Sequence, residues 1–384
     1  MKILHVTPYF VPAWGFGGPV KVINDLARLS AKSGHKITVA TTDALDGSKR
    51  VGKLHEFIGP VEVFRFRNLS PRLAKGLNLY LPLGFKKFIR SSARNYDIVQ
   101  IHAFFTYQNI EAAKFCQRYH IPYILHLHET PLAIEGRGKL IFKKLFLAIW
   151  GKRILNRASR ILVLTTREKQ ALVDYLPNLN KKIDILPNGV EIKKTRPRPL
   201  KMKSDKVILS LSRLNRSKGT DLLIRAYAVL AKRDRKYKLI IAGSDEGGEL
   251  KRLRNLVEKL GINEVVSFVG HLEGSEKENA YKNADIYALF SRFDAFGITV
   301  LEAMSYGLPV CISKEVGISE DISSFGCANT IENTNNFKKS AEILGKTYEK
   351  RYEMSQNCAA ALKQFDIATI TKKLLKIYNE IVGN

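Results

Sequence analysis

The sequence reads as an α/β protein built from two doubly wound, parallel-sheet domains, and three observations lead there. The chain has 384 residues, more than one hydrophobic core usually supports, and 45% of them are hydrophobic, enough for two cores. Short apolar runs of strand type alternate with segments of helical spacing through residues 1–190, the order expected of a parallel sheet with helices on both faces. A second series of the same kind begins near Val207, after a segment (Glu191 to Lys203) that contains KKTRPRPLKMK and has no apolar periodicity. The expected division is a first domain at 1–190, a linker at 191–203, a second domain at 204–364 and a closing helix at 365–384.

In the first half, strands are expected at Lys2–Thr7, Lys36–Thr42, Val61–Phe66, Asp97–His102, Tyr123–His128, Arg160–Leu164 and Ile183–Leu186. Helices are expected at Pro19–Ser33, Gln108–Tyr119, Leu140–Asn156 and Thr166–Leu176. The loop after the first strand holds Gly17 and Gly18, which let backbone approach a ligand closely, and Pro19, suited to a first helical turn; a plain tight turn explains the pair as well. Ligands of such sheets bind beyond the C-terminal strand ends, where His102, His126 and His128 cluster. Alternation puts His126 and His128 on one side of their strand with Leu127 opposite, and core or capping histidines would look the same.

Charge is distributed unevenly. The formal net charge is +27, with 34 Lys and Arg against 13 Asp and Glu in residues 1–200, and 29 against 23 in residues 201–384. Two stretches lack acids, Val63–Tyr96 with Lys86, Lys87 and Arg90 interleaved with Phe64, Phe66, Tyr80, Phe85 and Phe88, and Gly136–Arg167 with Lys143, Lys144, Lys152 and Arg153 beside Leu145, Phe146 and Trp150. Basic residues interleaved with aromatics suit an anionic lipid surface, each charge contributing about 1 kcal/mol near it. A solvated helix face over core aromatics fits the same pattern. No nucleic-acid-binding motif accompanies it. Met1 leads straight into the strand-like KILHVTPYF, so no signal peptide is expected, and the longest apolar stretch, near Leu140 to Trp150, is broken by Lys143 and Lys144, so no membrane span is expected. The cysteines Cys116, Cys311, Cys327 and Cys358 have neither zinc-ligand nor disulfide-framework spacing, which fits a reducing cytoplasm.

In the second half, strands are expected at Val207–Ser212, Lys238–Ala242, Val265–Val269, Asp285–Phe290 and Pro309–Ile312. The first runs into SRLNRSKGTDLL, where Arg213 and Lys218 converge on one loop before a helix that Thr220 or Asp221 would cap. A planar fork and a compact cation together suit a diphosphate. Gly243 marks a turn after the next strand. The stretch FSRFDAFGITVLEAMSYGLPV, from Phe290, passes from strand to turn to helix, so its loop tip offers free N–H groups and the positive end of a helix dipole, an anion site. Asp294 and Glu302 flank that tip. A mostly helical path separates them by roughly 10–12 Å, too far for the carboxyl pair of a glycoside hydrolase, which stands roughly 5–9.5 Å apart, and better suited to the two ends of one long ligand. The tail has apolar residues at Ile367, Ile370, Leu374 and Tyr378, a helical spacing with lysines outward.

These strings resemble the signature of the group 1 glycosyltransferases, retaining and metal-independent enzymes of the GT-B architecture, whose motif sets two glutamates around a Phe-Gly pair. This chain carries Asp294 in place of the first Glu, one methylene shorter. The resemblance implies two Rossmann-like domains facing a cleft, with the last helix crossing back to the first domain. It implies that Arg213 and Lys218 offset the charge of the leaving diphosphate together with the N–H groups of Phe296, Gly297, Ile298 and Thr299, that Asp294 and His128 orient the sugar, and that Glu302 holds the ribose. It further turns the Gly17-Gly18 loop toward the donor phosphates and the acceptor, puts the backbone of Gly270, His271 and Leu272 against the nucleotide base and counts Gly243 with the donor site, although Gly243 and these three fit plain turn positions equally well. The implied reaction moves a sugar from a UDP- or GDP-sugar to an acceptor hydroxyl without cofactor or metal. With the basic patches, the expected acceptor is a lipid-linked saccharide of cell-surface polysaccharide or glycan assembly, and the expected place is the cytoplasm, peripheral on the inner face of the membrane. Two other readings stay open, a nucleotide-sugar epimerase of the same architecture and a non-catalytic sugar-nucleotide-binding subunit.

Overall fold

A computed structural model of the chain describes residues 1–46, 48–70, 72, 74, 80–128, 143–192 and 205–383. They fall into two compact units, Met1–Gly189 with Ile367–Asn384, and Val190–Asp366. Most of the expected linker, 193–203, lies outside the described residues, as do residues 129–142, which include the start of the helix expected from Leu140.

The first unit is built on one sheet of β1 (Lys2–Val6), β2 (Lys36–Thr42), β3 (His55–Ile58), β4 (Val61–Phe66), β5 (Ile98–His102), β6 (Tyr123–His126), β7 (Arg160–Val163) and β8 (Ile183–Ile185). Their spatial order is β3-β4-β2-β1-β5-β6-β7-β8, parallel throughout except for the edge strand β3. The central strands are mostly apolar and buried because helices cover both faces: Ile3, Leu4 and Val6 of β1 and Ile98, Val99 and Ile101 of β5 are fully buried, with His5, Gln100 and His102 as the buried polar exceptions. The helices are α1 (Gly18–Lys32), α2 (Phe85–Ser92), α3 (Tyr107–Tyr119), α4 (Lys152–Arg157) and α5 (Thr166–Tyr175). Pro19 stands in the first turn of α1, where its missing N–H costs nothing. A π-helical turn at Leu147–Gly151 leads into α4. The sixth strand stops at His126, short of the expected His128, because His128 takes a left-handed backbone conformation (φ 56°) that no strand can continue.

The second unit has six parallel strands, β9 (Lys206–Leu211), β10 (Tyr237–Ala242), β11 (Val266–Gly270), β12 (Ile286–Leu289), β13 (Val310–Ser313) and β14 (Ala328–Ile331), in the order β11-β10-β9-β12-β13-β14. Helices α6 (Thr220–Arg233), α7 (Glu249–Lys259), α8 (Gly274–Asn283), α9 (Ile298–Ser305), α10 (Ser319–Ser323), α11 (Phe337–Glu349) and α12 (Arg351–Leu362) flank it. The order runs outward in one direction from β9 and in the other from β12, so the chain reverses between them, and ligands of such sheets sit beyond the strand ends at that reversal. A buried Tyr227 hydroxyl ties α6 to the sheet through the Tyr237 and Val265 carbonyls at 2.7 and 2.9 Å.

The final helix, α13 (Ile367–Val382), belongs to the first unit, packing on α1 and burying Ile367, Ile370, Thr371, Leu374 and Tyr378. Each fully buried Leu or Ile contributes about 1.5–3 kcal/mol, so this stripe alone holds the helix in place. Its Tyr378 hydroxyl donates to Gln100 Oε1 on β5.

Candidate functional site

Two loops of the second unit meet at the β9/β12 reversal. The first follows β9 and runs Ser212–Gly219 into α6; the second follows β12 and runs Ser291–Gly297 into α9. Backbone bonds join them, with Arg292 N and Phe293 N donating to the Ser217 carbonyl at 2.7 and 3.1 Å. The Arg292 guanidinium reaches α6 and grips both carboxylate oxygens of Asp221 at 2.7 and 2.9 Å. Thr220 and Asp221 therefore do not cap α6 as expected; both lie inside its first turn, and the cap position is Gly219. Asn215 instead caps the short 3-10 turn before it, its Oδ1 accepting from Lys218 N at 3.2 Å.

This clamp sets Lys218 against Asp294. Their charged atoms are 2.7 Å apart and both side chains are 15% exposed, so the pair is shielded more than a surface ion pair. Asp294 is held from three more directions, its N–H on the Glu315 carbonyl (3.2 Å), its carbonyl accepting from Gly317 N (2.9 Å) and its Oδ1 from Phe296 N (3.2 Å). The Phe296 N–H, expected to face phosphate, is thus engaged within the loop. Gly297 caps α9 in a left-handed conformation (φ 93°), and a side chain there would run into Val316. Ile298 and Thr299 open the helix, where N–H groups have no intrahelical acceptor. Thr299 Oγ1 lies 2.7 Å from the hydroxyl of buried Tyr287.

Arg213, expected to be free for phosphate, pairs with Glu246 at 2.9 Å, and Glu246 also accepts from Asn215 Nδ2 at 2.8 Å. Glu302, one turn into α9, is gripped by Lys277 of α8 at 2.8 Å and by the Tyr281 hydroxyl at 3.1 Å. Gly243 sits against the end of β9: a Cβ there would stand 1.7 Å from the Ser212 carbonyl oxygen, and the Gly243 N–H donates to the Gly270 carbonyl at 2.7 Å. Beyond β11, His271 is exposed and bonded to Glu273 at 2.8 Å, and Leu272 is half-buried.

In the first unit the loop after β1 brings Gly17 (φ 90°) to the start of α1, with Gly18 as the first helical residue. At the strand ends His102, His126 and His128 meet, and His5 of β1 joins them. His126 and His128 do share a side, their rings stacked at 3.9 Å. Burial drives all four toward the neutral form, His5 and His128 down to about 3, and His102 and His126 well below the usual value with neighbouring rings adding to the effect. His102, His126 and His128 bring ligand atoms within 4.8 Å of one another, a spacing that could suit a metal ion. The ring geometry does not fit one, because both nitrogens of His102 are engaged by His5 and His128, and stacked rings point their in-plane lone pairs side by side.

The sequence singles out Lys218, Asp294, Glu302 and the three strand-end histidines, gives Asp221 a different role as a cap, and does not point to the other groups that hold them in the structure: Asn215, Glu246, Lys277, Tyr281, Arg292, His5 and Gln100. The two basic stretches also differ. In Val63–Tyr96, Tyr80 and Phe85 are buried and Phe64, Phe66 and Phe88 pack on one another, so its aromatics are core rather than membrane-facing. In the second stretch Leu145 and Ile149 are 54% and 52% exposed beside exposed Lys144, Lys152 and Arg153. Among the described residues, no helix is long and apolar enough to cross a membrane.

Comparison with known proteins follows the same division. Residues 191–365 match the family described as glycosyl transferases group 1, and residues 16–194 match glycosyltransferase family 4. An uncharacterized glycosyltransferase of Methanocaldococcus jannaschii is 28% identical over 338 residues, 84% of this chain and 83% of that protein. A D-inositol 3-phosphate glycosyltransferase of Corynebacterium jeikeium is 25% identical over 414 residues, 99% of this chain and 96% of that one. Among solved structures, the Anabaena protein HepE in complex with UDP and glucose superimposes with a TM-score of 0.72 at 21% identity, over 99% of this chain and 100% of that one. With two parallel-sheet α/β units of GT-B type and family matches that together span residues 16–365, the chain belongs to the group 1 glycosyltransferases.

Proposed function

We propose that this glycosyltransferase moves a sugar from a UDP- or GDP-sugar to an acceptor hydroxyl with retention of anomeric configuration and without a metal. The observation that carries the reading is the Lys218–Asp294 contact at the β9/β12 reversal, beside the open N-terminus of α9. A cation and helix N–H groups at that place suit a diphosphate, and a carboxylate next to them suits sugar hydroxyls. The likeness to a protein solved with UDP and glucose supports a nucleotide-sugar donor.

As the glycosidic bond breaks, negative charge builds on the departing diphosphate. Lys218, Arg213 and the N–H groups of Ile298 and Thr299 take up that charge, and removing one such donor typically costs 10²–10³-fold in rate. Asp294 orients the sugar, Glu302 receives the ribose hydroxyls, and in the first unit His128 offers an imidazole nitrogen to a sugar oxygen. With Asp294 assigned to orienting the sugar, attack of the acceptor on an oxocarbenium-like centre from the leaving-group face would account for retention.

The acceptor we propose is a lipid-linked saccharide. The support is the second basic stretch, where Leu145 and Ile149 are exposed and Ile149 lines a cavity of about 490 Å³ with Lys114, Arg118, Arg153 and Trp150. Apolar side chains ringed by cations suit an anionic lipid surface. The deciding experiment measures nucleotide release and product from a panel of UDP- and GDP-sugars, with and without lipid-linked acceptor, for wild type, Lys218→Ala and Glu302→Ala. Acceptor-dependent transfer lost in both variants is expected. Donor binding without transfer to any acceptor overturns the reading.

A further inference from the structure

The cavity between α3 and the π-helical turn that leads into α4 is one to which the proposed transfer assigns no ligand of its own. Three cations line it, Lys114 and Arg118 from successive turns of α3 and Arg153 from the start of α4, together with Ile149 and Trp150. No carboxylate lines it. Among the described residues these cations touch a single acid, Glu111, which stands 3.9 Å from Lys114 and is shared with Lys86 at 3.7 Å. Positive charges gathered around one space without a counter-charge repel one another, and a bound anion relieves that repulsion.

One of the cations is set in place from the core. The buried Tyr123 hydroxyl donates to the Ile154 carbonyl at 2.6 Å, Gln117 Nε2 donates to that hydroxyl at 3.2 Å, and Gln117 Oε1 accepts from Arg153 Nε at 3.2 Å. The Arg153 guanidinium is thus held by one edge, and its terminal nitrogens have no acid partner among the described residues. Arg118 is steadied differently, its guanidinium carbon lying 5.6 Å from the centre of the Tyr119 ring. Two planar forks and one compact ammonium suit phosphate oxygens.

The place of the cavity decides what kind of phosphate it takes. Helix α3 starts at Tyr107, just after β5 ends at His102, and runs away from the strand-end edge. Lys114 and Arg118 therefore stand about 10 and 16 Å down the helix, at about 1.5 Å per residue. A phosphate held there is remote from the edge to which the reacting sugar is assigned, so its bearer is not consumed by the transfer. Beside it Leu145 and Ile149 are 54% and 52% exposed, apolar side chains next to a cationic cavity, and this is the pattern of a membrane interface.

We propose that the cavity is a headgroup site for an anionic phospholipid of the bilayer, with Arg118 and Arg153 forking the phosphate oxygens, Lys114 adding a point charge, and Leu145 and Ile149 entering the acyl boundary alongside. The basic stretch then holds the membrane through a seated lipid as well as through diffuse charge. The inference does not rest on the identity of the acceptor.

The test floats the full chain with vesicles of phosphatidylcholine, with and without phosphatidylglycerol, and follows Trp150 emission in a Trp14→Phe background that leaves Trp150 as the one tryptophan. Binding that needs phosphatidylglycerol and shifts Trp150 emission to the blue is expected; binding that ignores the anionic lipid overturns the proposal without recourse to other variants. Arg118→Lys with Arg153→Lys keeps the charge and removes both forks, and should weaken binding about tenfold, the worth of one charge-assisted hydrogen bond. An unchanged affinity in that folded variant means diffuse attraction and overturns the site. Arg118→Gln with Arg153→Gln should weaken binding at least about tenfold more than Lys144→Gln with Lys152→Gln, which removes the same charge outside the cavity, and equal losses overturn it as well. Two further arms identify the source of the phosphate: release of the protein by inorganic diphosphate alone, or preference for phosphatidylcholine vesicles carrying a polyprenyl diphosphate over phosphatidylglycerol vesicles of equal charge, would replace the phospholipid with a soluble or an acceptor-borne anion and overturn the proposal.

Discussion

Acidification should destabilise the first unit well before its carboxylates titrate. The unfolded chain binds a proton at each histidine below pH 6.5, whereas His5 and His128 stay neutral in the fold until the pH nears about 3. The unfolded state therefore holds more protons throughout that window, and stability falls as pH falls. At pH 5 each of the two rings costs about 1.5 pH units at 1.36 kcal/mol per unit, about 2 kcal/mol, and the pair about 4 kcal/mol relative to pH 7.5. His102 and His126 push the same way. Asp184, whose carboxyl burial raises, works against the loss, and Asp46, held low by backbone N–H groups of Lys49 and Ser48, gives up its contribution only at the acid end of the window, below its ordinary value of 3.8. Since a domain has about 5–15 kcal/mol in hand, the effect is large. Both tryptophans, Trp14 and Trp150, lie in the first unit, so their fluorescence in urea follows that unit alone. With a denaturant slope near 2–3 kcal/mol/M, the midpoint should drop by about 1.5 M between pH 7.5 and 5, and His5→Asn should recover about half of the drop. A midpoint that moves by less than about 0.3 M would mean that the rings protonate inside the fold and are not desolvated.

Three further outcomes can be checked directly. Gly243→Ala places a Cβ 1.7 Å from the Ser212 carbonyl oxygen, so calorimetry should show the second unit losing at least about 3 kcal/mol, with the first unit's urea midpoint unmoved. Lys277→Ala removes the ion pair that the ribose has to displace from Glu302; the donor KM should fall by up to about tenfold with kcat nearly kept, and a change in kcat alone would remove Glu302 from ground-state binding. In flotation with anionic vesicles at low salt, Leu145→Asp with Ile149→Asp should abolish binding, while charge reversal at Lys86, Lys87 and Arg90 should only weaken it; the opposite ranking would move the membrane face to α2.

The parts of the fold that could be read from the chain are those whose pattern is local. Both series of buried strands announced themselves as apolar runs because each is covered on two faces. β3 escaped notice because it is an antiparallel edge strand with every residue at least partly exposed, and β14, ANTI, is short and largely polar. At the site, Lys218, Asp294 and Glu302 were legible as a spacing. Their partners were not, since Lys277 lies 25 residues before Glu302 and Glu246 lies 33 after Arg213, separations that only the sheet order closes. Asp221 was read as a cap from its place before an apolar run, but its carboxylate is drawn to Arg292, whose approach across the two loops no local pattern could reveal. His5 lies inside an apolar strand with its neighbours, and only pairing of β1 with β5 makes it a partner of His102.

The second unit holds no idle charge at the groups assigned to the donor. Lys218 is neutralised by Asp294, Arg213 by Glu246 and Glu302 by Lys277. On the proposed assignment, donor binding is an exchange of partners, and its free energy is the difference between two sets of contacts rather than the sum of new ones. A diphosphate carries more negative charge than the single carboxylate it displaces, so the exchange at Lys218 is favourable when the phosphates arrive. The same exchange releases Asp294, held 2.7 Å away, and frees its carboxylate for the sugar hydroxyls. The ion pair thus couples recognition of the phosphates to recognition of the sugar. It also gives a physical reason for an aspartate at this place, since the four backbone and side-chain bonds around Asp294 fix a short side chain at the distance Lys218 needs.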